Sequence, residues 1–131
     1  MNKIIIYTNK TCSHCKSIKK DFKKENIEFE ERIGEDWKSE WQEVVNLTGM
    51  PTVPTIEYNN EYFVPGRDFG NGQQLIEMLK NYTDSPHEQY KRVFERLKTL
   101  NYNISMAFNR TNQILTQIET KINTNEHKST N

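Results

Sequence analysis

The sequence lacks an excess of charge of either sign. Eighteen Lys and Arg balance eighteen Asp and Glu over 131 residues. Without a basic field or clustered arginines, neither nucleic acid nor an anionic membrane is an expected partner. Long apolar runs are missing too, and none approaches the roughly 20 residues of a membrane-spanning helix. The N-terminal run Ile4-Ile5-Ile6 is too short for a secretory signal and no cleavage pattern follows it, so the expected location is cytoplasmic. Hydrophobic residues make up only 34%, which allows one modest core. Cysteine is nearly absent: Cys12 and Cys15 are the only two. In a cytoplasmic chain, two cysteines at this spacing suggest redox chemistry or metal binding rather than a structural disulfide.

The pattern along the chain predicts alternating strands and helices. Lys3 to Thr8 is a short β-branched apolar run, the mark of a buried strand. From Ser13 the period changes to helical, with Cys15, Ile18 and Phe22 on one face and lysines around the rest. Ile27 to Ile33 reads as a half-exposed strand. A second helix follows Gly34, with Trp37, Trp41, Val44, Val45 and Thr48 on one side and Gly49 as its stop. The spacing of Trp37, Trp41 and Phe22 marks them as core residues. Pro51 to Pro54 breaks any helix. Thr55 to Tyr58 and Glu61 to Val64 form two strands joined at Asn59-Asn60, a pair suited to a two-residue hairpin. A glycine-rich loop precedes a third helix marked by Leu75, Ile76, Leu79 and Tyr82. Ser85, Pro86 and Glu88 form a helix-start signal, and apolar spacing then runs to Ile122. That spacing permits one long helix or two meeting near Asn101. The expected divisions are residues 1–83, a helical extension over 84–123 and a disordered tail over 124–131.

Cys12 and Cys15 follow a strand and open a helix within a β-α-β unit, which makes Cys-x-x-Cys a strong redox signature. The thiolate is the nucleophile in disulfide exchange. Unpaired N–H groups at the helix N-terminus favour an anion on Cys12, with Lys10 and His14 adding positive charge nearby. Cys15 lies one turn in, on the apolar face, and is less accessible. Cys12 therefore attacks and Cys15 resolves. A structural zinc site needs four ligands. These cysteines supply two, and His87 and His127 are remote, so no metal site is expected.

With these residues in place the chain resembles the glutaredoxins, of the thioredoxin-fold superfamily, over about Lys3 to Tyr82. The motifs are Tyr7-Thr8 through Cys12-Ser13-His14-Cys15, and Thr52-Val53-Pro54. The resemblance implies an α/β fold, thioredoxin-like β-α-β-α-β-β-α with a four-stranded mixed sheet, followed here by a C-terminal α-helical extension. It also implies a cis bond before Pro54, with Thr52, Val53 and Pro54 orienting the substrate and the Val53 backbone pairing with glutathione. The activity implied is thiol–disulfide exchange on protein disulfides or glutathione mixed disulfides, with glutathione as cosubstrate. Between the cysteines, Ser13 and His14 depart from the common Pro and aromatic. A histidine before the second cysteine is found in disulfide isomerases, where it stabilises the thiolate. The family's glycine turn and acidic pair, which hold the γ-glutamyl end of glutathione, fall near Gly66 to Gln74. If Gly66 starts the turn, Asp68 is the acidic equivalent. If Gly70 starts it, Gln73 and Gln74 take those places.

The extension lies outside the resemblance. Its apolar face must dock on the domain, fold back or meet another chain, and self-association through residues 86–122 or a protein partner is expected ahead of docking on the domain. Two alternatives come from another class of function. One is an iron–sulfur carrier, since Ser13 in place of Pro resembles glutaredoxins that hold a [2Fe–2S] cluster between subunits. The other is an adaptor that works through its extension.

Overall fold

The structure, a computed structural model, describes residues 2–83 and 88–129. The elements run β1 (Ile5–Thr8), α1 (Ser13–Lys24), β2 (Glu30–Ile33), α2 (Lys38–Thr48), β3 (Thr55–Tyr58), β4 (Glu61–Phe63), α3 (Gly72–Lys80) and α4 (Lys91–Ser129), with a 3₁₀ turn over Glu88–Tyr90. The four strands form one mixed sheet in the order β2-β1-β3-β4. β1 and β2 are parallel with Tyr7 opposite Arg32, as a β-α-β crossover dictates. The other pairs are antiparallel. This is the thioredoxin-like architecture expected, with a long C-terminal helix.

Alternation along β1 decides what each sheet face receives. Ile4 and Ile6 point to a core completed by Ile18 and Phe22 of α1, Ile56 of β3 and Leu75, Ile76 and Leu79 of α3. Tyr7 points to the other face and meets Val44 of α2 and Tyr62 of β4, with Trp41 and Leu47 packed alongside. Asn59 and Asn60 turn the hairpin with both φ positive, and Gly49 ends α2 in the left-handed region at φ 70°. β2 starts later than the alternation suggested. Ile27 and Phe29 precede it and lean on the first core instead.

Two expectations need correction. Trp37 is not a core residue: it sits at the N-cap of α2, is 36% exposed and stacks under the Arg32 guanidinium at 4.3 Å. The possibility of two helices meeting near Asn101 is not realised, because α4 is a single element that continues past Ile122 to Ser129. The helix-start signal at Ser85 and Pro86 lies outside the described residues.

The chain divides into two compact units, one ending at Thr99 and one beginning at Leu100. The first turns of α4 belong with the sheet. They attach through a polar stripe, Lys91, Glu95 and Thr99, all buried. Lys91 donates to the Asn59 carbonyl at 2.7 Å, and Thr99 donates to the Thr48 carbonyl. Glu95 accepts from the Tyr62 N–H at 2.9 Å and pairs with Arg67 at 2.7 Å. In the second unit, the large apolar side chains from Leu100 to Ile122 are exposed.

Candidate active site

β1 ends at Thr8 and hands the chain to the loop Asn9-Lys10-Thr11. The Asn9 side chain closes that loop by accepting the Thr11 N–H at 3.1 Å, the local bond that suits asparagine to turns. The next residue, Cys12, is extended (φ −83°, ψ 109°) and caps α1. Its sulfur accepts the Cys15 N–H at 3.0 Å, taking the place that a serine or aspartate oxygen fills at an ordinary N-cap. Cys12 is half-buried, whereas Cys15 is only 1% exposed. The two are joined as a disulfide with Cα atoms 5.3 Å apart. Access and the free helix N–H groups thus favour Cys12 as the sulfur that meets a partner.

The second part of the site arrives from across the fold. The carbonyl oxygen of Val53 lies 4.0 Å from Cys12 Sγ. The Val53–Pro54 bond is cis, Pro54 is buried, and Thr52 and Val53 stay half-exposed. Beside Val53 opens a cleft of about 340 Å³, walled by Thr8, Asn9, Glu35, Trp41 and Pro51 among others. The Thr8 hydroxyl is fully buried behind this wall, with no hydrogen-bond partner among the described residues. Spacing rules could not flag Thr8, because a threonine at a strand end reads as an ordinary β residue.

The remaining candidates sit at the margins of this pair. His14 is half-buried, and its ring stands 6.2 Å from that of Phe69. Phe69 comes from the loop after β4, and the apolar periods gave it no role. Lys10 turns outward and pairs with Glu35 at 3.5 Å, both largely exposed. Gly66 takes the left-handed region at φ 86°, and its N–H donates to the Phe69 carbonyl at 2.9 Å. The Asp68 carboxylate accepts the Val64 N–H at 2.8 Å and pairs with Arg67. No described hydrogen bond or ion pair joins Gly66 or Asp68 to Cys12 or Val53. Gln74 caps this loop by accepting the Gly70 N–H. Among the described residues, no group of three or more His, Cys, Asp or Glu could hold a metal ion, and no helix is long and apolar enough to cross a membrane.

Behind the site, on the second sheet face, burial raises the Tyr7 phenol above its ordinary value. The Arg32 hydrogen bond opposes that shift and Glu57 adds to it. Burial likewise lifts the Glu57 carboxyl, with the Arg32 charge pulling the other way. These groups flank β1 from behind.

A mixed sheet with a Cys-x-x-Cys pair at a helix N-terminus, facing a proline loop, defines a thioredoxin-fold redox domain. Residues 4–63 match the family model described as Glutaredoxin. The match ends before the Gly66 loop. Among solved structures, a glutaredoxin from Archaeoglobus fulgidus resembles this chain with a TM-score of 0.50. The two are 24% identical over 62% of this chain and 89% of that one, a likeness of fold. No curated protein sequence matches the chain significantly. Family and paired cysteines together point to thiol–disulfide oxidoreductase chemistry.

Proposed function

We propose that the protein is a cytoplasmic, glutathione-dependent thiol–disulfide oxidoreductase that reduces protein disulfides and glutathione mixed disulfides. One observation carries the proposal: the half-buried Cys12 sulfur at the head of α1, with the Cys15 N–H 3.0 Å from it and the Val53 carbonyl 4.0 Å away. In the reduced protein the Cys12 thiolate attacks one sulfur of the substrate disulfide. The Cys12–substrate bond forms, and the other half leaves as a thiol. The Cys15 thiol then attacks Cys12, releasing the second thiol and leaving the Cys12–Cys15 disulfide. Alternatively a second glutathione thiolate attacks the Cys12–glutathione bond and leaves as oxidised glutathione. Two glutathiones reduce the internal disulfide in the same way.

The half-exposed backbone at Thr52 and Val53, set by Pro54, supports its role in aligning a peptide such as glutathione beside Cys12. His14 and Lys10 would stabilise the thiolate, Lys10 with its charge already shared with Glu35. Gly66 and Asp68 fit a γ-glutamyl site less well, because Val64 and Arg67 already occupy the Asp68 carboxylate. Recognition in this reading rests mainly on Val53 and the cleft beside it.

Two electron sources distinguish this proposal from a thioredoxin-type cycle. Reduction of a glutathione mixed disulfide should proceed with glutathione and glutathione reductase. It should be lost in Cys12→Ser and at least partly retained in Cys15→Ser. Activity driven only by thioredoxin reductase, with equal loss in both variants, would replace the glutathione reading.

A further inference from the structure

We propose that the second unit, from Leu100 on, is a self-association helix whose apolar face is covered by the same helix in other copies of this chain. At 100° per residue, Leu100, Ile104, Phe108, Leu115, Ile118 and Ile122 fall within a sector about 120° wide. Ala107, Thr111 and Ile114 complete that sector, and no charged residue enters it. The six large residues are 47% to 64% exposed. With Ile114 they present on the order of 700 Å² of apolar surface, close to the roughly 800 Å² per partner of a standard protein interface. Water-facing patches of that size mark association surfaces.

The charge pattern selects the occupant. Between residues 100 and 124 only Arg110, Glu119 and Lys121 are charged, and all three lie off the apolar sector. A helix that lies on a membrane surface carries many Lys and Arg on its polar face, and this one does not. A heterologous helix chosen by charge would need a repeated series of charges flanking the seam, whereas only Arg110 and Lys121 border one edge and Glu119 the other. The opposite face is mostly Asn, Gln, Ser and Thr, among them Asn109, Asn112, Gln113 and Thr116, with Tyr102 and Met106 as its apolar members. Identical copies therefore meet without like charges opposing one another, and their uncharged sectors are complementary by default.

The spacing refines the form. From Leu100 to Ile122 the sector stays on one side of a straight helix with 3.6 residues per turn. A strict heptad seam repeats every 3.5 and is narrower. A straight, wide sector is what a helix presents when it packs against more than one neighbour, as in a bundle.

Sedimentation equilibrium of the full chain under reducing conditions, which removes any disulfide between copies, provides the test. The expected mass is an integer multiple of the single chain, falling to one chain for Ile104→Glu combined with Ile118→Glu. Asn109→Glu combined with Thr116→Glu, on the opposite face, should leave the multiple intact. A wild-type protein that stays at the mass of one chain across the micromolar range would overturn the proposal. So would a face variant that keeps the multiple, or a monomer that co-sediments with anionic vesicles.

Discussion

Replacing Glu95 by alanine should cost more than any other single change in the extension, although Glu95 lies far in sequence from the domain it holds. The Arg67 and Glu95 side chains are each 1% exposed. Arg67 spends all five of its N–H donors within this cluster. Nε bonds Asp68, one terminal nitrogen bonds the Glu95 carbonyl and Thr99, and the other bonds the Tyr62 carbonyl and the Glu95 carboxylate. The second Glu95 oxygen takes the Tyr62 N–H and pairs with Lys98 at 3.0 Å. Breaking a buried ion pair from one side costs about 3–5 kcal/mol, because the partner's charge stays buried. Stranding the Tyr62 N–H adds about 1–3 kcal/mol on its own account. Asp68 remains beside Arg67 and offsets part of this, and the terms overlap, so the expected loss is about 3 kcal/mol. Glu95→Gln keeps an acceptor for Tyr62 and should cost about half as much. Urea unfolding followed by Trp37 and Trp41 fluorescence reads both variants. A loss below about 1 kcal/mol for Glu95→Ala would refute the view that this pair seats the first turns of α4.

Other perturbations follow from the same structure. Asn71 caps α3 by accepting the Gln74 N–H at 2.9 Å, so Asn71→Ala should lower stability by about 1 kcal/mol in urea unfolding. Gly49 stands at φ +70°, and Gly49→Ala should cost about 1 kcal/mol through backbone strain, measured the same way. Burial raises the Glu57 carboxyl, so the folded state holds that proton more tightly than the unfolded chain does. The stabilising share of Glu57 is therefore complete below the ordinary carboxylate value and lost as pH rises through the folded one. Glu57→Gln should then stabilise the protein more at pH 7 than at pH 4, and an equal effect at both would contradict the assignment. The Lys10–Glu35 pair is largely exposed and is worth at most about 1 kcal/mol. Glu35→Gln should therefore change KM for a glutathione mixed disulfide less than about 5-fold, in a salt-sensitive manner.

The elements that position the site were legible because each has a local signature. The β-branched run of β1, the helical spacing of Cys15, Ile18 and Phe22, and the Asn59-Asn60 turn each follow from short-range chemistry. So does the helix start that places Cys12 at an N-cap. What escaped was set by partners distant in sequence. Apolar periodicity looks for faces buried in oil, whereas α4 seats its first turns through Lys91, Glu95 and Thr99, a stripe that reads as surface. Its anchor is Arg67, in a loop that family resemblance directs towards glutathione. Trp37 misled for a related reason: its spacing fits the apolar face of α2, yet it stands at the N-cap position and meets Arg32 instead. The approach of Phe69 to His14 depends on a loop folding back, which no spacing rule encodes.

The account rests on Cys12 as the sulfur that meets the substrate, and one measurement addresses it directly. Reduced Cys15→Ser, incubated with oxidised glutathione, digested without reductant and analysed by mass spectrometry, should carry a single glutathione on the peptide containing Cys12. Reduced Cys12→Ser under the same conditions should carry little on Cys15. Equal labelling of the two, or labelling of Cys15 alone, would contradict the assignment of Cys12 as the nucleophile.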